Sequence, residues 1–234
     1  MSAIDLARAE RAELCDLLDG LGPDRPTMCQ DWTTRDLAAH LVVRESRVDT
    51  ALGVLGGPLA AWTERVQNDA ASQPFEKLVR LIRTGPPIWS HFRLPWVDGQ
   101  LNTIEFYVHI EDVRRANGET QPRDVAGELS NFMWDRLKLS GRLFFNSVKN
   151  GVILERTDSE SGELETHKAK GGKPKVIVRG PATELILIAY GRRDADVDID
   201  GDPDAVAAFE QASRDVDEES LEENLESDQV IEGN

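Results

Sequence analysis

The stretch Thr103-Ile-Glu-Phe-Tyr-Val-His-Ile-Glu-Asp112 decides how this chain is read. It fits a helix running from Thr103 to Ala116, closed by Asn117-Gly118. On such a helix Glu105 and His109 stand four residues apart, so one carboxylate and one imidazole share a face with Cβ atoms about 5–6 Å apart. That spacing lets both side chains reach the same cation. Asp112, three residues after His109, lies on the same side. It is open to three roles: orienting an imidazole, adding a ligand, or standing as an exposed charge.

Upstream, Ile4, Ala7, Leu14, Leu18 and Leu21 recur at helical spacing, and Gly20, Gly22 and Pro23 stop that helix. Thr33 with Asp36 three residues on resembles a capping box. The helix it opens carries Leu37, His40, Leu41, Arg44 and Val48 along one face and is expected to end near Gly53 to Pro58. A third helix starts near Pro74 and runs through Phe75, Leu78, Val79 and Ile82. Gly85-Pro86-Pro87 breaks or kinks it. Residues 59–73 receive no assignment, and Leu94-Pro-Trp-Val-Asp-Gly-Gln-Leu-Asn102 reads as a connection. Four helices in the first 118 residues predict a four-helix bundle.

The pattern then changes. A helix is expected from Asp124 to about Leu143. Strands follow at Gly151–Thr157, Glu163–Lys168, Pro174–Arg179 and Val197–Ile199, with helices at Pro181–Tyr190 and Asp204–Ser213. This predicts a smaller α+β domain after the bundle. The expected domains are residues 1–120, 121–213 and an acidic, disordered tail over 214–234. From Asp215 to Asn234 there are nine acidic residues and no Lys or Arg, a composition that cannot offset the entropy of ordering. A short helix around Leu221 and Leu225 has weak support.

Composition sets limits on function. The 234 residues are 40% hydrophobic and 30% charged, enough to bury a core, with a formal net charge of −16. That charge excludes a general electrostatic grip on nucleic acid or an anionic membrane. No apolar run approaches the roughly 20 residues of a membrane span, and the N-terminus lacks the layout of a signal peptide. Two cysteines exclude a disulfide scaffold, so a cytoplasmic protein is expected. Cys15 sits beside Leu14 and Leu17, where packing is the expected role. Cys29 lies in a loop with no His nearby in sequence, and neither is expected to be catalytic.

Of the four histidines, His91 and His167 are expected to be exposed. His40 should face the bundle interior. With Glu105 and His109 it makes a two-His, one-carboxylate set that suits Zn²⁺ and leaves a coordination position open. Fe²⁺ or Ni²⁺ would also fit such donors. The plain alternative is a hydrogen-bonded core histidine beside an ordinary helix pair.

The run Asp31-Trp-Thr-Thr-Arg-Asp-Leu-Ala-Ala-His-Leu41 resembles the Trp-Thr-x-x-Asp-x-x-x-His-Leu signature of the DinB-like metal-binding bundles. More narrowly, it is similar to the N-terminal domain of the mycothiol-dependent maleylpyruvate isomerase family. The resemblance implies metal ligands at His40, Glu105 and His109. Val176-Ile-Val-Arg-Gly-Pro-Ala-Thr-Glu-Leu185, Gly191-Arg192 and Asp200-Gly-Asp202 resemble that family's sterol-carrier-like C-terminal domain. It further implies an actinobacterial source, mycothiol as thiol cosubstrate and a small electrophilic substrate. By the same resemblance Arg192 contacts a substrate carboxylate, with Arg193 an equal contender and a surface arginine the alternative. Trp32, Trp89, Trp96 and Tyr107 either line a pocket or belong to the core. The spacer from His40 to Glu105 is compact, and the acidic tail has no counterpart in the motif.

Three readings follow. One is a divalent-metal, thiol-dependent isomerase or S-transferase. A second is a non-catalytic small-ligand-binding module on a metal-anchored bundle. The third is a structural protein with an empty site. Lys170-Gly-Gly-Lys173 lacks the spacing of a phosphate-binding loop, and Ser140 and Ser147 lack an orienting histidine.

Overall fold

The computed structural model describes residues 1–29, 31–46 and 58–212, with the backbone alone for 58–64. The acidic tail, the helix around Leu221 and Leu225, Val48 and the expected end of the second helix lie outside the described residues. The chain divides into two compact units, Met1–Thr120 and Gln121–Asn234.

The first unit contains α1 (Ala3–Leu21), α2 (Thr34–Ser46), α3 (Pro58–Ala71), α4 (Phe75–Thr84), the single turn α5 (Pro95–Val97) and α6 (Thr103–Ala116). The capping box forms: the Thr33 N–H and hydroxyl both donate to Asp36 Oδ2, at 2.9 and 2.6 Å. This fixes where α2 starts and so the direction in which His40 projects. Helix α1 packs on α4 and α6, and α2 on α3 and α4. Their apolar stripes meet in a core of Leu14, Leu18, Leu37, Leu41, Leu78, Ile82, Phe106, Ile110 and Val113.

Two segments differ from expectation. Residues 58–71, unassigned from sequence, form α3, with Pro58 as the first residue of the helix, where its missing N–H costs nothing. The segment Leu94–Asn102 is largely helical: Pro95–Val97 is one turn, and a π-helical turn at Asp98–Asn102 feeds directly into α6. Gly99 permits this, because a Cβ there would lie 2.8 Å from the Ile4 backbone nitrogen of α1.

The second unit holds α7 (Gly127–Phe144), β1 (Gly151–Arg156), β2 (Glu165–Lys170), β3 (Lys175–Gly180), α8 (Ala182–Ala189), β4 (Asp198–Gly201) and α9 (Pro203–Ala212). The sheet order is β2-β1-β3-β4. Strands β1 and β2 are an antiparallel hairpin, β1 and β3 run parallel, and β4 closes antiparallel on β3. Val152, Leu154, Val176 and Val178 turn one apolar face inward, and α7 packs on β2 and α8. Asp158 accepts from the Ala182 N–H at 3.0 Å and so caps α8.

Candidate metal centre

Helices α2 and α6 bring the three expected donors together. Glu105 Oε1 is 3.1 Å from His109 Nε2 and 3.6 Å from His40 Nε2. All three donor atoms lie within 4.8 Å of one another. Two ligands about 2.1 Å from a tetrahedral centre stand about 3.4 Å apart, and the two observed separations bracket that value. Glu105 and His109 are 4% and 3% exposed, while His40 reaches 17% for its side chain and opens the site on one side.

The surroundings orient these three side chains. His109 Nδ1 is 3.0 Å from Asp112 Oδ2, so the Nδ1–H donates to the carboxylate and Nε2 is directed toward Glu105. Asp112 is fully buried, which removes the exposed-charge alternative. The Trp32 ring lies 5.1 Å from the His40 ring, and the two imidazoles meet edge to face at 5.7 Å. Burial pushes His40 below the ordinary histidine range. Burial pushes the same way on His109, but Glu105, Asp112 and Cys29 outweigh it and hold this imidazole well above the ordinary range.

Charge balance tests whether a divalent ion fits. Arg11 pairs with Glu45 and Asp98, and Arg44 with Glu105, while Asp112 sits on the far side of His109. Glu105 and Asp112 flank the two ring nitrogens of His109, so negative charge is concentrated there, and a cation is the group such a site fits.

Sequence reasoning missed Cys29. Its sulfur lies 3.2 Å from Asp112 Oδ2 and 3.8 Å from His109 Nδ1. The loop that carries it is pinned by the Met28 N–H to the Asp112 carbonyl (3.1 Å) and by a bridge between Pro26 and Thr33. Cys29, His109 and Asp112 form a second close group of donors. Their 80-residue separation left no linear signal. The only hint is that Cys29 directly precedes the capping box of the helix bearing His40. Arg44 was legible as a neighbour of His40 on one helix face, but not as the partner of Glu105, whose Oε1 lies 3.4 Å from Arg44 Nε.

The remaining residues divide. Tyr107 is fully buried and Trp32 partly so, but Trp89 and Trp96 are 72% and 49% exposed and are not core. His91 and His167 are half-buried rather than exposed, the first against Phe92 and the second edge-on to Trp134. Cys15 is fully buried, and burial pushes its thiol up to about 11. In the second unit Arg192 is half-buried and donates to the Tyr190 carbonyl at 2.8 Å, and exposed Arg193 donates to the Glu210 carbonyl.

Residues 4–87 match the family model described as the mycothiol maleylpyruvate isomerase N-terminal domain. Over these residues the chain is similar to that domain. The match includes the capping box and His40, and it ends before α6. Two solved structures share the fold: a mycothiol-dependent maleylpyruvate isomerase and a His-to-Ala mutant of it. Each is 14% identical, with 84% of this chain and 91% of the other covered at a TM-score of 0.51. No curated protein matches. The isomerase fold therefore extends beyond the N-terminal domain into the α+β unit.

Proposed function

We propose that His40, Glu105 and His109 hold a divalent metal and that the protein is a thiol-dependent isomerase or S-transferase acting on a small electrophile. The convergence of two imidazoles and one carboxylate from α2 and α6 carries this reading. Zinc is the first choice, with iron or nickel as alternatives. The family match makes mycothiol the proposed cosubstrate, and the proposed compartment is the cytoplasm. Among the described residues no helix is long and apolar enough to cross a membrane.

A bound dication would let a thiol, whose ordinary pKa is about 8.5, present its anion near neutral pH. The protein's own groups prepare for this. Asp112 keeps the Nδ1 proton of His109 and leaves Nε2 for the ion. Arg44 sets a positive charge beside Glu105. Trp32 limits the tilt of His40. In the proposed reaction a thiolate adds to an activated double bond, the resulting single bond rotates, and elimination expels the thiolate again and restores the double bond. Arg192 is the proposed contact for a substrate carboxylate through its planar guanidinium. A binding module without turnover is the second reading, and the same trio supports it.

Dialysis against cobalt followed by metal analysis tests the centre. One ion per chain is expected, lost in His40→Ala and His109→Ala, with affinity falling toward acidic pH as the imidazoles protonate. Retained stoichiometry in both variants refutes the ligand assignment. A thiolate-to-cobalt charge-transfer band abolished by Cys29→Ser would place the ion on the Cys29 group instead. Turnover of mycothiol with electrophiles above the metal-free control separates the enzyme from the binding module.

A further inference from the structure

Behind Glu105 lies a buried polar chain that no packing need explains. Arg44 is forked: its Nη1 donates to Asn102 Oδ1 at 2.5 Å while its Nε faces Glu105 Oε1 at 3.4 Å, and the guanidinium carbon stands 4.5 Å above the Phe92 ring. Asn102 is itself locked. Its Nδ2 donates to Glu45 Oε1 at 2.9 Å and to Asp98 Oδ1 at 2.7 Å. A flipped amide would set its oxygen against two carboxylates and its N–H groups against Arg44, so only one orientation is compatible with these neighbours. Glu45 and Asp98 are held in turn by Arg11, whose Nη2 lies 2.6 and 3.1 Å from them. The side chains of Arg11, Glu45, Arg44 and Glu105 are all less than a tenth exposed.

We propose that Arg44 is a positioning residue: its fork, aimed by Asn102, fixes which oxygen of Glu105 is presented to His40 and His109. The inference rests on the metal-centre reading above. Arg44 Nε contacts Oε1, the same oxygen that faces both imidazoles, so its placement sets how the carboxylate can turn toward an ion. Two donors on one rigid plane are required, one for each oxygen. Lysine preserves the charge but concentrates its donors on a single nitrogen. The π-helical turn at Asp98–Asn102 is what brings Asp98 and Asn102 together, since Asp98 Oδ1 accepts from the Asn102 amide four residues later.

The test compares cobalt affinity and the cobalt ligand-field spectrum of the full chain with Arg44→Lys, Asn102→Ala and the double variant. Urea unfolding of each metal-free protein reports folding separately. Arg44→Lys should weaken cobalt binding about 10–100-fold and shift the visible bands, as loss of an orienting partner does. Asn102→Ala touches none of the three proposed ligands, yet it should weaken binding in the same direction. The double variant should be little worse than Arg44→Lys alone, because the two act in series. Arg83→Ala, which breaks an exposed pair with Asp16 and Asp19, should change nothing. Wild-type affinity in folded Arg44→Lys overturns the inference, since charge alone then suffices. If Asn102→Ala fails to fold, Arg44→Lys still decides the matter. No cobalt bound by the unsubstituted chain overturns the metal reading and this inference with it, whereas binding that is equal in all variants overturns this inference alone.

Discussion

Replacing Arg11 with Met should destabilise the bundle by about 4–5 kcal/mol at pH 7, and by about 2 kcal/mol at pH 5. Arg11 holds both oxygens of Glu45, at 2.6 and 2.8 Å, together with Asp98 Oδ1 at 3.1 Å and the Ile82 carbonyl at 2.9 Å. Methionine fills much of the same volume and rests on Phe106, over which the guanidinium carbon stands at 4.6 Å, but it offers no donor. Glu45 is then a buried carboxylate that keeps the Asn102 amide as a hydrogen-bond donor but has lost its paired guanidinium. Its escape is to take up a proton. From its ordinary value of 4.5 that costs about 3.4 kcal/mol at pH 7 and about 0.7 kcal/mol at pH 5, at 1.36 kcal/mol per pH unit. The lost bond to Ile82 adds about 1 kcal/mol. Burial already pushes Glu45 up even with Arg11 present. Removing Arg11 pushes it further, so the variant's stability falls as pH rises from the ordinary carboxylate range up to the raised folded value and is level above it. Glu45→Gln in the Arg11→Met background should restore most of the loss at pH 7, because glutamine is neutral and still accepts from Asn102. Urea unfolding followed by tryptophan fluorescence measures this, since Trp32, Trp62, Trp89 and Trp96 all lie in the first unit. A loss below about 1 kcal/mol at pH 7, or an equal loss at both pH values, would refute the reasoning for a buried pair broken on one side.

Two further outcomes follow from burial and close approach. The Cys15 thiol is raised from 9.0 to about 11, so its contribution to stability is whole below about pH 9 and lost as pH rises through about 11; Cys15→Ala should flatten that part of the stability curve, and an unchanged slope would count against it. In β1 a Cβ on Gly151 would fall 2.5 Å from the Gly172 carbonyl oxygen, a backbone atom that cannot swing away. Gly151→Ala should therefore cost about 1–3 kcal/mol, read as a lowered melting temperature of the full chain, and wild-type melting would show that the strand can yield.

Much of the fold was legible. Helix α1 was expected over Ala3 to Leu21 because its leucines keep strict helical spacing and Gly22 stops it, and the structure has it there. The Thr33–Asp36 cap marked the start of α2, since that signature is local and needs no tertiary help. Helix α3 was missed because residues 59–73, between the expected end of the second helix and Pro74, received no assignment. Of the two roles open to Trp89 and Trp96, exposure removes the core one, because residue type alone does not say which aromatic is buried.

The candidate site divides along the same line. Glu105 and His109 belong to one turn of one helix, so their shared face follows from 3.6-residue periodicity, and the sequence by itself determined it. The sequence likewise determined that His40 and Arg44 project together from α2. Only tertiary structure decided that α2 crosses α6 where Arg44 and His40 both meet Glu105. Only tertiary structure carried Cys29 to His109 and tied Asn102 to Glu45 and Arg11. The physical reason is range. Hydrogen bonds within a helix constrain residues three or four apart, whereas contacts between residues dozens of positions apart exist only once apolar burial has set the helices against one another.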